Sequence, residues 1–280
     1  MIPSQFTYKK ANTVEEALAM LAEHGDDAKL LAGGHSLIPA LKLRLNDPEV
    51  LIDISKIDSL KSIEEKDGTI VIGAMVTHGQ IVESALIKEK ASFFSEGADL
   101  IGDVQVRNRG TIGGSIAHAD PSADWPAILL AAEATIHVQG TEGSRSIAAS
   151  DFFFGLYMTA VEENEIITAI SVPIRNARTT YVKFMQPASR FAIVGCAVSV
   201  GGNGTAENVR IAFNGVSAQP FRDVAVEAAL EGKALNAENI AAAVANAVDD
   251  RSVISDHYAS EEYRTQMAKV YCKRALQSLI

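Results

Sequence analysis

The stretch Leu30-Leu31-Ala32-Gly33-Gly34-His35-Ser36-Leu37 decides how the rest of the chain is read. It opens on apolar residues with the character of a short buried strand and then breaks on two adjacent glycines. Pro39-Ala40-Leu41-Lys42-Leu43 follows and predicts a short helix opening at Pro39. A strand that turns through Gly-Gly into a helix exposes several backbone N–H groups at one point. Glycine lets that backbone approach a ligand, and the helix N-terminus adds partial positive charge, so a phosphate is the natural guest.

A second loop of the same kind runs Arg109-Gly110-Thr111-Ile112-Gly113-Gly114-Ser115-Ile116-Ala117. Two Gly-Gly loops, each followed by a small hydroxyl donor (Ser36 and Ser115), suggest a diphosphate gripped from both sides. A Cβ at Gly33 or Gly114 is then expected to occupy the diphosphate's place. Either loop alone reads equally as a tight turn between strand and helix. Neither matches G-x-G-x-x-G or G-x-x-x-x-G-K-[ST], so the Rossmann and P-loop readings fail on spacing.

The 280 residues suit two or three compact subdomains, and 48% hydrophobic content excludes a disordered chain. A formal charge of −10 argues against nucleic acid as the main partner. It leaves room for a nucleotide held by backbone amides. The two cysteines, Cys196 and Cys272, lie far apart without Cys-x-x-Cys spacing, so no iron–sulfur cluster is expected in this chain. They read as two buried thiols in a reducing compartment. Ile2-Pro3-Ser4-Gln5-Phe6 carries no basic region leading into an apolar run, and no stretch reaches membrane-span length. The expectation is a cytoplasmic protein.

Thr13 to Glu23 is the clearest predicted helix. Thr13 and Glu16 form a capping-box pattern, Val14, Ala17, Leu18 and Leu21 share one face, and Gly25 supplies the stop. With strands expected at Phe6–Tyr8, Lys29–Leu31 and Val50–Ile54, the first 55 or so residues form a small α/β unit. A second unit has a strand at Thr69–Gly73, helices at Gln80–Ser84, Ala85–Ala98 and Trp125–Ala132, a hairpin joining Thr135–Val138 to Ser144–Ile147, and a strand over Glu165–Val172. The last hundred residues change character. Thr180–Met185, Ala192–Val200 and Val209–Phe213 predict three antiparallel strands, with helices near Asp223–Leu230, Ala237–Val248 and Glu261–Ser278. The domain junction falls near Arg175–Thr179.

His35 and His118 lie in or near the glycine loops, where cofactor contact and plain loop packing are both open. No third or fourth ligand stands at metal-binding spacing. Asp120 and Asp124 read as first-turn helix acids, as an acid/base pair, or as carboxylates accepting from sugar hydroxyls. Proximity to the second loop favours the last. Ser189 belongs to no nucleophile elbow, which leaves a hydrolase reading without support.

Ala32-Gly33-Gly34-His35-Ser36-Leu37-Ile38-Pro39 with Lys42-Leu43-Arg44 resembles the first flavin loop of the molybdenum hydroxylase medium subunits. Thr111-Ile112-Gly113-Gly114-Ser115 followed by Asp120-Pro121 and Asp124 resembles their second. That family includes the medium chain of aerobic carbon monoxide dehydrogenase and the flavin segment of xanthine dehydrogenase. The resemblance covers the whole chain and implies an α+β fold. Its first part would be a two-subdomain FAD-binding module of the p-cresol methylhydroxylase/vanillyl-alcohol oxidase type (1–55 and 56–175). A C-terminal α+β domain of three antiparallel strands plus helices (176–280) would follow. It implies FAD contacts at Leu31, Ala32, Gly33, Gly34, His35, Ser36 and Leu37, and at Gly110, Thr111, Gly113, Gly114 and Ser115. Ile101 and Gly102 would line the flavin. Ala117, His118, Ala123 and Asp124 would add contacts, Ile166 and Ile167 would touch the adenine side, and Lys183 would lie near the isoalloxazine. Ser115 departs from the asparagine common in relatives.

No catalytic or metal residue is expected in this chain itself. The resemblance implies a large subunit with a molybdopterin cofactor that oxidises substrate and a small subunit with two [2Fe–2S] clusters. FAD here would deliver the electrons to an acceptor (quinone, oxygen, NAD or a carrier protein), in a dimer of heterotrimers. The competing readings are a self-sufficient FAD oxidase or dehydrogenase and a non-catalytic nucleotide-binding module.

Overall fold

The computed structural model describes residues 2–280. The chain begins with β1 (Thr7–Lys10), α1 (Val14–His24), β2 (Ala28–Leu31), α2 (Leu37–Lys42) and β3 (Val50–Asp53). The three strands form a parallel sheet in the order β1-β3-β2. α1 follows its pattern: Val14, Ala17, Leu18 and Leu21 are its buried residues, and Gly25 ends it at φ +52°. The cap differs in one detail. Thr13 accepts from Glu16 N, but the Glu16 carboxylate accepts from the N–H of Asn12 at 2.8 Å. α2 begins at Leu37, two residues before Pro39.

Next come β4 (Ile63–Lys66), β5 (Thr69–Gly73), α3 (His78–Glu83), α4 (Ala85–Lys90), α5 (Ser92–Asp99), α6 (Val104–Arg107), α7 (Ile112–His118) and α8 (Trp125–Ala132). The helix expected over 85–98 is two helices, because Ala91 leaves the helical region at φ −152°, ψ 53°. α6 is a single turn whose N-terminal N–H groups are capped by Asp103. β6 (Thr135–Gly140) and β7 (Gly143–Ala148) are the expected hairpin. α9 (Ala149–Phe152) and the short pair β8 (Phe153–Gly155) and β9 (Met158–Thr159) lead into β10 (Glu165–Pro173). An antiparallel five-stranded sheet results, ordered β4-β5-β10-β6-β7.

The C-terminal part holds β11 (Arg178–Met185), β12 (Ala192–Gly201), β13 (Glu207–Asn214), β14 (Phe221–Arg222), α10 (Val224–Leu230), α11 (Ala237–Val244) and α12 (Glu261–Gln277). Its sheet has four strands, β11-β12-β13-β14, rather than the three expected. The fourth is two residues long and follows Pro220, so it carries no alternation to read. β12 is buried at all ten positions because α8 covers one face of the sheet and α12 the other. A strand covered on both faces has no solvent side, so Ala192–Val198 reads as an unbroken apolar run. α8 is buried at all eight positions for the same reason. One hydrophobic core therefore runs from Ile72 and Ile170 of the five-stranded sheet through Phe94 and Trp125 to Ala197 and Ala212. Cys196 and Cys272 are buried free thiols. Among the described residues, no helix is long and apolar enough to cross a membrane.

Arg264 of α12 is 1% exposed. Its guanidinium donates to Ile193 O, to Gly215 O at 2.8 Å and to Ile254 O at 3.1 Å, and pairs with Asp256 at 3.0 Å. It fastens the turn after β13 to the start of β12. Arg264→Met leaves the buried carbonyls of Ile193 and Gly215 without this donor and is expected to destabilise the fold by roughly 2–5 kcal/mol. The shift of the urea midpoint at constant slope measures it.

Candidate functional site

A cleft of about 640 Å³ lies where the N-terminal sheet, the five-stranded sheet and the loops beside α6 and α7 meet. Both glycine loops open onto it. The whole run Ala32–Leu37 lines it, as do Ile101, Gly102, Gly110, Thr111, Gly113, Gly114, Ser115, Ala117, His118, Ala123, Asp124, Ile166 and Ile167. Leu31 and Lys183, expected to join them, do not. Leu31 is the last residue of β2, and its side chain packs beneath Gly34.

The two loops play unlike parts. In the first, the N–H groups of Gly33, Gly34, His35 and Ser36 have no acceptor among the described residues. Four successive free donors on a cleft wall form an anion-binding concavity. In the second, the donors are already engaged: Gly113 N bonds Ala74 O at 2.9 Å, Gly114 N bonds Thr111 Oγ1 at 3.1 Å, and Ser115 N bonds Thr111 O at 3.0 Å. That loop offers the Ser115 hydroxyl and its small-residue surface instead. The glycines also act differently from the expectation. A Cβ on Gly33 would strike the backbone carbonyl of Arg109, and one on Gly114 would meet Thr111 Oγ1 at 2.9 Å. Gly33 lets the two loops touch each other, and Gly114 leaves room for the Thr111 hydroxyl that caps its own helix.

Lys183 sits behind the wall. On β11, Val182 and Phe184 pack toward the α12 core, so alternation turns Tyr181 and Lys183 to the opposite face, toward α8. The Lys183 ammonium gives all three hydrogens to protein: Leu100 O at 2.7 Å, Arg190 O at 2.8 Å and Asp124 Oδ2 at 2.9 Å. Asp124 Oδ1 accepts from the Tyr181 hydroxyl at 2.5 Å. Both Asp124 oxygens are thus engaged inside the protein, and the residue is only 4% exposed, so this carboxylate serves to hold the wall together. Burial pushes the Asp124 carboxyl up and the Lys183 ammonium down, each opposed by the other's charge. Burial and the Asp124 charge hold the Tyr181 phenol well above its usual value. Gly195 leaves the space these groups fill, since a Cβ there would strike Tyr181 Oη and Asn214 Oδ1.

This buried ion pair sets the cleft's shape. Leu100 precedes the cleft residues Ile101 and Gly102, and Arg190 precedes Phe191, which also lines the cleft. One ammonium therefore holds two walls. Arg107 reinforces the first wall by donating to Ile101 O and Gly102 O while pairing with Asp99 at 3.4 Å. His118 lies at the rim, its ring centroid 5.1 Å from that of Tyr157, whose hydroxyl bonds Asp120 at 3.3 Å.

Arg190, Phe191 and His78 escaped the sequence reading. The first two lie in a loop between strands with no motif to mark it. His78 follows the Thr77/Gln80 capping box at the start of α3. Burial, with the nearby His35 and Arg107, lowers its imidazole pKa to about 3.

Two predictions follow from this geometry. Lys183→Met leaves Asp124 as a buried charge without its cation and is expected to cost about 3–5 kcal/mol of stability. Pairing it with Asp124→Leu should cost less than the two single changes together, a coupling that denaturant titration of the cycle detects. The second concerns pH. Folded protein keeps His78 neutral down to about pH 3, whereas the unfolded chain protonates it near 6.5. The unfolded state thus binds more protons in that window, and stability falls as pH drops through it. His78→Gln should remove up to about 1.4 kcal/mol per pH unit from that acid slope, read from denaturation at stepped pH.

Comparisons with known proteins agree with this architecture. Residues 4–175 match the family described as the FAD binding domain in molybdopterin dehydrogenase, and residues 179–279 match the CO dehydrogenase flavoprotein C-terminal domain. The chain is 42% identical over 281 residues to the carbon monoxide dehydrogenase medium chain of Hydrogenophaga pseudoflava, covering 99% of this chain and 98% of that one. It is 36% identical to the glyceraldehyde dehydrogenase medium chain of Sulfolobus acidocaldarius, over the full length of both. A solved structure of the Hydrogenophaga pseudoflava carbon monoxide dehydrogenase, lacking the Mo-pyranopterin moiety of its molybdenum cofactor, superposes with a TM-score of 0.96 at 43% identity. That match covers 100% of this chain and 98% of the other. The chain belongs to the FAD-binding medium subunits of the molybdenum hydroxylase family, as a subunit of a dehydrogenase.

Proposed function

We propose that the cleft holds FAD with its diphosphate against Gly33–Ser36, and that the chain relays electrons from an iron–sulfur subunit to an external acceptor. The observation that carries this is the row Gly33–Ser36, which lines the cleft and whose backbone N–H groups have no acceptor among the described residues. Amides in such a row bind anionic oxygens and need no countercharge, which suits a chain of formal charge −10. FAD, when bound, supplies a carrier able to join one-electron clusters to a two-electron acceptor.

The chain's own residues would bind and orient. The first glycine loop and the Ser36 and Ser115 hydroxyls would hold the diphosphate. Ile166 and Ile167, backed by Met75, would give the adenine end an apolar wall. Ile101-Gly102 and Phe191, fixed from behind by Lys183, would border the isoalloxazine. We assign 1–55 and 56–175 to two FAD-binding subdomains and 176–280 to the C-terminal domain. The expected assembly has a large subunit with a molybdopterin cofactor and a small subunit with two [2Fe–2S] clusters, as a cytoplasmic dimer of heterotrimers.

The test is a visible spectrum of the chain purified from its native host, with metal analysis of the chains that accompany it. The expected result is one FAD per chain, with molybdenum and iron in partner chains. Gly33→Ala, which drives the two loops apart, should lose most of the flavin. Flavin without metals or partner chains would favour a self-sufficient oxidase. Colourless protein that cannot be reconstituted with FAD would sink the proposal.

A further inference from the structure

We infer that His78 is a binding residue of the cleft, donating its Nε2–H to a phosphate oxygen of the dinucleotide where the two glycine loops meet. The inference rests on the FAD reading and adds a contact to it. His78 lines the cleft yet is only 4% exposed. Its Nδ1 accepts from the Trp125 indole N–H at 3.2 Å. A neutral imidazole that accepts at Nδ1 must carry its hydrogen on Nε2. That hydrogen has no acceptor among the described residues. Nε2 is not among the fully buried unpaired atoms, so it opens to the cleft, and a ligand that covers it must bring an acceptor.

The position of Nε2 indicates which part of the ligand it meets. A Cβ on Gly110 would lie 2.8 Å from His78 Nε2, so the ring edge faces a residue with no side chain to cover it. A Cβ on Gly33 would in turn lie 2.9 Å from the Gly110 Cα. His78, Gly110 and Gly33 therefore stand at the crossing of the two loops, beside the free amides of Gly33–Ser36. The backbone of His78 is fixed there too, with its N–H on Gly110 O at 3.0 Å. Phe94 and His78 flank Trp125, with ring centroids 5.7 and 5.8 Å from it, so the indole that orients the imidazole is itself packed in the core. Burial holds the ring neutral, so it donates a hydrogen bond without a counterion.

The test uses the full chain labelled with ¹⁵N-histidine, and the probes are FAD and ADP. On adding either, the Nε2–H proton of His78 is expected to move downfield and exchange more slowly with water. In titrations, His78→Phe should bind both about tenfold or more weakly, as fits loss of one hydrogen bond to a charged oxygen. His78→Gln, whose amide can reach the Nε2 position, should recover most of that loss. An Nε2–H signal unchanged by ligands that do bind would overturn the inference, whatever the variants do. So would a glutamine variant as weak as phenylalanine. If the unaltered chain binds neither FAD nor ADP, the cleft reading itself fails, a result distinct from the other two.

Discussion

A single buried ammonium, that of Lys183, stands behind everything the cleft does. Its three hydrogens reach the loop after α5, the loop between β11 and β12, and the carboxylate at the head of α8. These segments come from distant parts of the chain, and nothing apolar could join two carbonyls and a carboxylate at one point. Removing an ion pair from water is costly, and the opposed shifts of Asp124 and Lys183 show that cost. The return is geometric: the two carbonyls cannot separate without stranding a charge. Gly195 belongs to the same device, since its missing side chain is the room into which Tyr181 and Asn214 reach.

Much of the fold was legible because burial writes itself into sequence period. α1 buries the four residues its 3.6-residue pattern names, and β12 and α8 read as apolar runs because both of their faces are covered. The short elements were not. β14 takes its pairing from β13, and α6 depends on the Asp103 side chain, so neither carries a pattern of its own. The glycine loops were legible as a place, and nineteen of the residues named for the site border one cleft. Their individual roles were hidden. Whether an N–H is free depends on where Ala74 O and Thr111 Oγ1 lie, and whether Lys183 faces ligand or protein depends on which side of β11 meets α12. His78 was hidden further, because its tautomer is set by an indole 47 residues away.

The cleft reconciles an acidic chain with a polyanionic guest. Arg107, a cation beside the loops, is occupied with Ile101 O, Gly102 O and Asp99 and so shapes the wall. Lys29 and Arg190 also line the cleft, and the amide dipoles add an attraction that acts at short range.

The order of strands carries a consequence for how the chain comes to be folded during synthesis. β3 lies between β1 and β2 yet follows both in the chain, and β10 lies between β5 and β6 yet follows both. Until Val50–Asp53 leaves the ribosome, neither earlier strand has a partner, and the first glycine loop hangs from an unpaired β2. Until Glu165–Pro173 emerges, the second sheet is two separate hairpins. The central strands thus act as late keystones, each closing contacts far apart in sequence, a topology that slows folding. Ile166 and Ile167 lie on the second keystone, so the cleft's last wall arrives with the strand that completes the sheet. A nascent chain stopped short of Glu165 would present both glycine loops with no Ile166–Ile167 wall to the cleft.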